Sequence, residues 1–180
     1  MSGRLIAVVG PSGVGKDTVI DALVAATPGL YRAHRVITRP ADSGGELFES
    51  VTEAEFDRRR ARGDFVLWWD AHGLSYGIPR TVLERLDEGT DVIANLSRGA
   101  LPEARRLFPG MRVLALTARP EVLAARLAGR GRETAEDIAA RLSRAEEFTV
   151  AGPDVITLDN SGTPAETVAA ARAALYPERV

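Results

Sequence analysis

The stretch Gly10-Pro11-Ser12-Gly13-Val14-Gly15-Lys16-Asp17-Thr18 constrains this chain more than any other. Before it, Leu5-Ile6-Ala7-Val8-Val9 reads as a short buried strand. After it, Val19-Ile20-Asp21-Ala22-Leu23-Val24 reads as part of an amphipathic helix. Strand, glycine-rich turn and helix in that order make a phosphate-binding loop. The glycines let the backbone curl until successive N–H groups point inward. The helix N-terminus adds partial positive charge, and Lys16 adds a full one. Such a loop cradles the phosphates of a nucleotide.

The spacing Gly10-x4-Gly15-Lys16 fits the pattern, but the next position does not. Ser or Thr is expected there, reaching Mg²⁺ through a hydroxyl. This chain has Asp17, with Thr18 one place later. Asp17 either holds Mg²⁺ as a hard oxygen ligand, directly or through water, or is simply an acidic residue suited to the first helical turn.

A chain of 180 residues makes one domain with a sizeable core, and 45% hydrophobic content is ordinary for a globular protein. A formal net charge of −2 argues against a general nucleic-acid binder. With no cysteine, the chain has no disulfide, thiolate zinc site or thiol nucleophile. It enters its first strand almost at once and has no apolar run of membrane-spanning length. A cytoplasmic protein with no signal peptide and no membrane contact is therefore expected.

Taken in order, strand 4–9 and helix 16–26 end at Thr27-Pro28-Gly29. Residues 31–40 form an extended segment with three arginines that stops at Pro40. Thr52 caps a helix to Gly63, with Glu55 placed as in a capping box. Phe65 to Trp69 is strand-like, 70–79 is glycine-punctuated and polar, and 79–88 is a short helix. Strand 91–95, helix 100–107, strand 111–116 and helix 119–128 follow. Beyond the break at Gly129-Arg130-Gly131-Arg132 come helix 134–149, strand 155–158 and helix 164–175. Alternating strands and helices predict a parallel α/β sheet, with ligands beyond the carboxyl ends of the strands. Asn95, Ser97 and Thr117 would then edge the same cleft as the phosphate loop.

A phosphate loop alone does not distinguish hydrolysis from transfer. Two further features favour transfer. A segment carrying Arg35, Arg39, Asp42, Asp70, His72, Ser75 and Tyr76 offers a site for an anionic acceptor. Arg126, Arg130, Arg132, Arg141 and Arg144 surround the Gly-rich break and suit a mobile lid. Guanidinium forks pair bidentately with phosphate oxygens, and closure excludes water. The plainer alternative for each is a solvated helix face paired with Glu133, Glu136 or Glu146.

From end to end the chain resembles the guanylate-kinase-like nucleoside monophosphate kinases. The matching residues are Gly10 through Lys16, Thr38-Arg39-Pro40, Glu55-Phe56, His72-Gly73 with Tyr76-Gly77, Gly99-Ala100, Arg126-Leu127 through Gly129-Arg130-Gly131, and Arg141-Leu142. The resemblance implies a three-layer α/β fold of the P-loop nucleoside-monophosphate-kinase type. Its parallel-sheet core would span 1–34 and 90–180, with an inserted acceptor-binding subdomain over about 35–89 and a lid over about 128–137. It also implies that Gly10 through Thr18 bind ATP, that Lys16, Arg130 and Arg141 act on the transferring phosphate, and that Arg39 and Tyr76 hold the acceptor phosphate.

Guanylate kinases read their base with a carboxylate in the Phe65–Trp68 strand, where this chain has Leu67. They use a second carboxylate after the resumed strand, where it has Asn95-Leu96-Ser97-Arg98-Gly99. A serine expected ahead of the Thr-Arg pair falls on Arg35, and a second arginine falls near Asp42. A pocket without its polar readers rejects its base strongly. This pattern resembles a narrower family, the ribose 1,5-bisphosphate phosphokinases. The shared features are Gly-Pro-Ser-Gly-x-Gly-Lys-Asp-[Ser/Thr], the run Ala33-His34-Arg35-Val36-Ile37-Thr38-Arg39, Ser97-Arg98 and Gly131-Arg132-Glu133.

That resemblance implies phosphoryl transfer from ATP, with Mg²⁺, to ribose 1,5-bisphosphate, giving ADP and 5-phosphoribosyl 1-diphosphate in phosphonate breakdown. Arg35, Arg39, Tyr76, Ser97 and Arg98 would hold the acceptor. Asp42 and Asp70 either bind ribose hydroxyls or Mg²⁺, or cap loops. The attacking phosphate oxygen is already ionised, so neither His34 nor His72 is needed as a base. Trp68 and Trp69 read as packing. The implied partners are ATP and a small sugar bisphosphate, with a homodimer left open. Among rivals, Leu67 counts against guanylate kinase, and Lys16 with Arg130 counts against a non-catalytic binding module. A nucleotide switch or hydrolase would leave the acceptor segment and lid without purpose.

Overall fold

The computed structural model describes residues 2–41, 46–129, 134–146 and 149–177. Asp42, Arg130, Arg132 and Glu133 lie outside them. The elements are β1 (Leu5–Val9), α1 (Lys16–Ala26), β2 (Tyr31–Arg32), β3 (Val36–Ile37), β4 (Glu49–Ser50), α2 (Glu53–Arg62), β5 (Phe65–Ala71), β6 (Leu74–Pro79) and α3 (Val82–Asp87). The chain continues with β7 (Val92–Asn95), a 3-10 turn (Arg98–Ala100), α4 (Leu101–Leu107), β8 (Arg112–Thr117), α5 (Pro120–Ala128), α6 (Ala135–Glu146), β9 (Val155–Asp159) and α7 (Pro164–Leu175).

The main sheet runs β2-β7-β1-β8-β9, and every pairing in it is parallel. β1 sits at its centre and is buried along its whole length. Alternate side chains of β1 serve opposite faces, as the two-residue period of a strand requires. Ile6 and Val8 pack with Val19, Ile20 and Leu23 of α1, Leu123 of α5 and Val168 of α7. Leu5, Ala7 and Val9 pack with Val82 of α3, Leu101 of α4, and Leu67, Trp69, Tyr76 and Ile78 of β5 and β6. The result is a three-layer α/β arrangement in which a second sheet completes one outer layer.

That second sheet, ordered β4-β3-β6-β5, is mixed. β3 pairs with β4 in parallel, and β6 pairs antiparallel with both β3 and β5. The extended segment 31–40 therefore divides: β2 closes the edge of the main sheet, and β3 joins the second sheet. Within the polar stretch 70–79, β6 forms a hairpin with β5. Ala71 pairs with Leu74, leaving His72 and Gly73 as a two-residue turn with φ of 55° and 72°. Positive φ at both central positions matches the right-handed strand twist of a tight hairpin. His72 is thus a turn residue. Pro79 ends β6 opposite Phe65, where a missing N–H is tolerated, so α3 begins at Val82 instead of residue 79.

Thr52 accepts from the Glu55 N–H at 3.2 Å, but the Glu55 carboxylate turns to Arg58 and Arg59. Half of the expected capping box therefore forms. The reciprocal box occurs at α7, between Thr163 and Glu166. On the far side of the second sheet, Phe56 of α2 stacks on Phe65 with ring centroids 4.6 Å apart. Trp69 is buried, whereas Trp68 is exposed and covered by Arg60, whose guanidinium lies 4.7 Å from the ring. No helix among the described residues is long and apolar enough to cross a membrane.

Asp91 ties both ends of the chain to the sheet. It accepts from the Arg4 backbone N–H at 2.7 Å, from Arg4 Nη2 at 2.9 Å and from the Tyr176 hydroxyl at 2.9 Å. Burial works to raise its carboxyl pKa, but these donors together hold it below the ordinary 3.8. Burial, then the Asp91 bond, pushes the Tyr176 hydroxyl up to about 12. A carboxyl depressed on folding stabilises above its unfolded pKa, and that gain is lost as pH falls through the folded value. Asp91→Asn should cost ~1–3 kcal/mol at neutral pH. Urea midpoints of variant and parent should converge below pH ~4; a constant gap down to low pH would mean that charge is not what holds the latch.

Candidate active site

β1 delivers the chain to the glycine-rich loop, and α1 leaves from it. Gly13 and Gly15 carry φ of 84° and 97°, a conformation that costs a side-chain-bearing residue dearly. Gly15 is the N-cap of α1, and no side chain caps that helix. The first-turn N–H groups therefore stay available to an anion, with the helix dipole behind them. Lys16 folds back over the loop and donates to the carbonyls of Gly10 at 2.9 Å and Pro11 at 3.2 Å. Arg141, from α6, donates to the Ser12 hydroxyl at 2.6 Å. Thr18 is exposed on the first turn. The loop gathers two cationic side chains from separate helices beside a row of unused donors.

The loop is held from behind. The inward carbonyl of Val14 accepts from Asn160 Nδ2 at 2.7 Å and from Arg126 Nη1 at 3.0 Å. Arg126 Nη2 also donates to the Asn160 carbonyl at 2.8 Å, and the Thr167 hydroxyl donates to Asn160 Oδ1 at 2.6 Å. Arg126 thus braces the loop, unlike the lid arginine that its sequence position suggests. Arg144 donates to the Ala140 carbonyl of its own helix. Asn160 escaped the sequence reading. Its signal was a polar residue just beyond the carboxyl end of β9, the edge at which such sheets bind ligands.

Asp17 lies in the first turn of α1. Its Oδ1 accepts from Arg32 Nη2 at 3.0 Å and from Asn95 Nδ2 at 3.3 Å. Arg32, largely buried, also pairs with Asp21. β2 and β7 thereby brace the start of α1. No group of three or more His, Cys, Asp or Glu side chains suited to a metal occurs among the described residues. A lone carboxylate beside a phosphate loop suits Mg²⁺, which takes one or two protein carboxylates and completes its shell with phosphates and water.

A second cationic cluster is built on the second sheet. Arg35 lies over the Tyr76 ring at 4.9 Å, and Tyr76 stacks on Trp69 at 5.4 Å with the rings 4° from parallel. Arg39 lies over the Phe48 ring at 4.3 Å. Glu46, which the sequence reading passed over, pairs with Arg35 through both oxygens and lies 4.0 Å from Arg39 Nη2. Ser97 precedes the 3-10 turn that carries Arg98 out of β7, and Arg98 is exposed. Leu67 is buried in the apolar cluster with Tyr76 and Ile78 and has no polar atom to offer a base.

Asp70 does not join this group. It alternates with Trp69 along β5, so it faces away from Tyr76, and its carboxylate accepts from the Ser75 hydroxyl at 2.6 Å. His34, also exposed, meets the Leu47 carbonyl at 3.2 Å. Of the arginines assigned to the acceptor, Arg35 and Arg39 come together around Glu46. Of those assigned to the transferring phosphate, Arg141 reaches the loop, while Arg130 lies outside the described residues.

A family profile described as an AAA domain matches residues 6–148. The chain is 50% identical over 179 residues to the ribose 1,5-bisphosphate phosphokinase PhnN of Ruegeria sp. (strain TM1040), covering 98% of this chain and 94% of that protein. It is 49% identical over 177 residues to the protein of the same name from Brucella abortus biovar 1 (strain 9-941), covering 97% and 91%. Among solved structures, a guanylate kinase from Anaplasma phagocytophilum superposes with a TM-score of 0.68 at 20% identity, covering 97% of this chain and 85% of that one. The last likeness is one of fold alone.

The bracing of Val14 is testable without substrate. Asn160→Ala removes one donor to the Val14 carbonyl and leaves the buried Thr167 hydroxyl without its short partner. Thermal or urea unfolding should register a loss of ~1–3 kcal/mol. A variant as stable as the parent would show that the contact is dispensable to the fold.

Proposed function

The chain belongs to the AAA-domain family and to the ribose 1,5-bisphosphate phosphokinase family, and from that premise we propose that it transfers the γ-phosphoryl group of ATP to ribose 1,5-bisphosphate. The products are ADP and 5-phosphoribosyl 1-diphosphate. One observation carries the choice of acceptor over a nucleotide. The wall on which a base would be read is buried leucine, Leu67, and beside it stand two arginines, Arg35 and Arg39, 4.9 Å and 4.3 Å from aromatic rings. That suits an acceptor rich in phosphate and without a base.

In this reading the loop N–H groups and Lys16 bind the phosphates of ATP. Arg141 binds the transferring phosphate from the α6 side, and Arg130 from the lid at about 128–137 joins it. Arg39, Tyr76 and Arg35 orient the acceptor, with Ser97 and Arg98 at the far side of the cleft. An oxygen of the acceptor's 1-phosphate forms a bond to the γ-phosphorus while the bond from that phosphorus to the β-phosphate oxygen breaks, and ADP leaves with the electron pair. The attacking oxygen is ionised at neutral pH, so no side chain has to remove a proton. The protein positions two anions in line and offsets their repulsion. Asp17 is the residue that would hold Mg²⁺, directly or through water, and the ion would supply positive charge to offset the negative charge of the ATP phosphates.

The deciding experiment is an ADP-release assay with ATP and Mg²⁺, with ribose 1,5-bisphosphate and GMP offered separately. Turnover with the sugar bisphosphate alone is expected. Turnover with GMP would overturn the acceptor assignment. Arg39→Ala should raise the KM for the sugar bisphosphate by roughly 10- to 100-fold, the worth of a charge-assisted contact, and leave the KM for ATP nearly unchanged.

A further inference from the structure

Glu46 is an acidic side chain in a cleft built to hold an anion. Its exposure is 6%, and that of Arg35 is 11%. One carboxylate oxygen meets Arg35 Nε at 3.0 Å and the other meets Arg35 Nη2, which is the two-point edge pairing of guanidinium with carboxylate. The same Oε1 lies 4.0 Å from Nη2 of Arg39. A buried ion pair adds little net stability over apolar packing, because desolvation offsets attraction. What it does supply is direction. The pairing fixes the plane of the Arg35 guanidinium, which lies over Tyr76, and Tyr76 is stacked on Trp69 in turn. Arg35 is thus clamped on one edge by Glu46 and on one face by an aromatic column. Glu46 takes the Nε–Nη2 edge, and Nη1 lies on the other edge of the guanidinium.

We propose that Glu46 is a positioning and specificity residue of the acceptor site. It presets the fork of Arg35 for a phosphate and disfavours acceptors that cannot present one there. The proposal rests on the acceptor reading given above. Two effects of opposite sign follow from the carboxylate, which is what makes the idea testable. As a bare charge it repels phosphate, so its removal would tighten acceptor binding. As a clamp it lowers the entropy that Arg35 loses on binding, so its removal weakens acceptor binding. The two-point geometry and the burial favour the clamp.

The test compares Glu46→Gln, Glu46→Asp and Glu46→Ala with the parent, and Glu46→Ala within Arg35→Ala. Gln and Ala should raise the KM for ribose 1,5-bisphosphate about 10-fold or more, with the KM for ATP held within about 2-fold. Asp should recover part of the loss. In the Arg35→Ala background the loss of Glu46 should add less than about 2-fold, since Glu46 acts through Arg35. A lower acceptor KM in Glu46→Gln, or fully additive losses in the double variant, would overturn the proposal. A second readout needs no turnover. With Trp68→Phe leaving Trp69 as the sole tryptophan, inorganic phosphate should perturb its emission, and Glu46→Gln should shift that titration to higher phosphate. If the parent turns over no sugar bisphosphate, the acceptor reading fails. The phosphate titration then still decides for or against Glu46, an unshifted curve rejecting it.

Discussion

Arg126 and Asn160 reach the Val14 carbonyl from α5 and from the end of β9, residues far apart in sequence. A loop that turns its N–H groups toward an anion must turn some carbonyls the other way, and a buried carbonyl needs a partner. Val14 points inward and is fully buried. The two donors satisfy its backbone, and the left-handed turns at Gly13 and Gly15 let the chain take that path. Asn160 is in turn fixed by Thr167 of α7, so three elements converge on one peptide oxygen. The cradle is therefore shaped by the core before any ligand arrives. Preorganised donors cost little reorganisation at the moment of transfer.

The acceptor side depends on the same core by another route. Tyr76 and Trp69 belong to the apolar cluster that contains Leu5, Ala7 and Val9 of the central strand. The second sheet is thus joined to the main one by shared burial on its inner face. Its own separate cluster, Val36, Phe56 and Phe65, seals the outer face under α2. Close-packed interiors transmit position rather than absorbing it. The aromatic column under Arg35 is consequently in register with the strand that delivers the phosphate loop. On the proposed reading, two anions that must meet in line would be held by groups anchored to one packed interior.

Much of this was legible in the sequence where local chemistry and fold coincide. The phosphate loop, the alternation of strands and helices, and the placement of Lys16, Asn95 and Thr117 at one sheet edge all follow from patterns a few residues long. The hairpin at 70–79 was not legible as a strand, because its partner, its turn at His72-Gly73 and its terminal Pro79 make sense only once β5 lies beside it. By sequence alone Asp70 is either a ligand for ribose hydroxyls or Mg²⁺ or a loop cap, because its glycine-punctuated stretch hides the strand. Strand parity sends it to the other face. Glu46 and Asn160 were invisible for the opposite reason. Each acts through a contact with a residue distant in sequence or in another element, and neither belongs to a short motif that announces it.

Two of the guanidiniums near the cleft come paired with carboxylates, and this bears on how such a site selects. Arg32 is held by Asp17 and Asp21, and Arg35 by Glu46, all before any phosphate is present. A cluster of unpaired arginines, buried to this degree, would be costly to fold and would attract any anion. Pairing of this kind damps the charge that Arg32 and Arg35 present at a distance, and the net charge of the chain is −2. Attraction over distance then contributes less than fit at contact. A ligand gains by matching the remaining donor edges of fixed forks, and a misplaced phosphate gains little. On the proposed acceptor reading, selection in this cleft would come from the direction of its donors more than from their number.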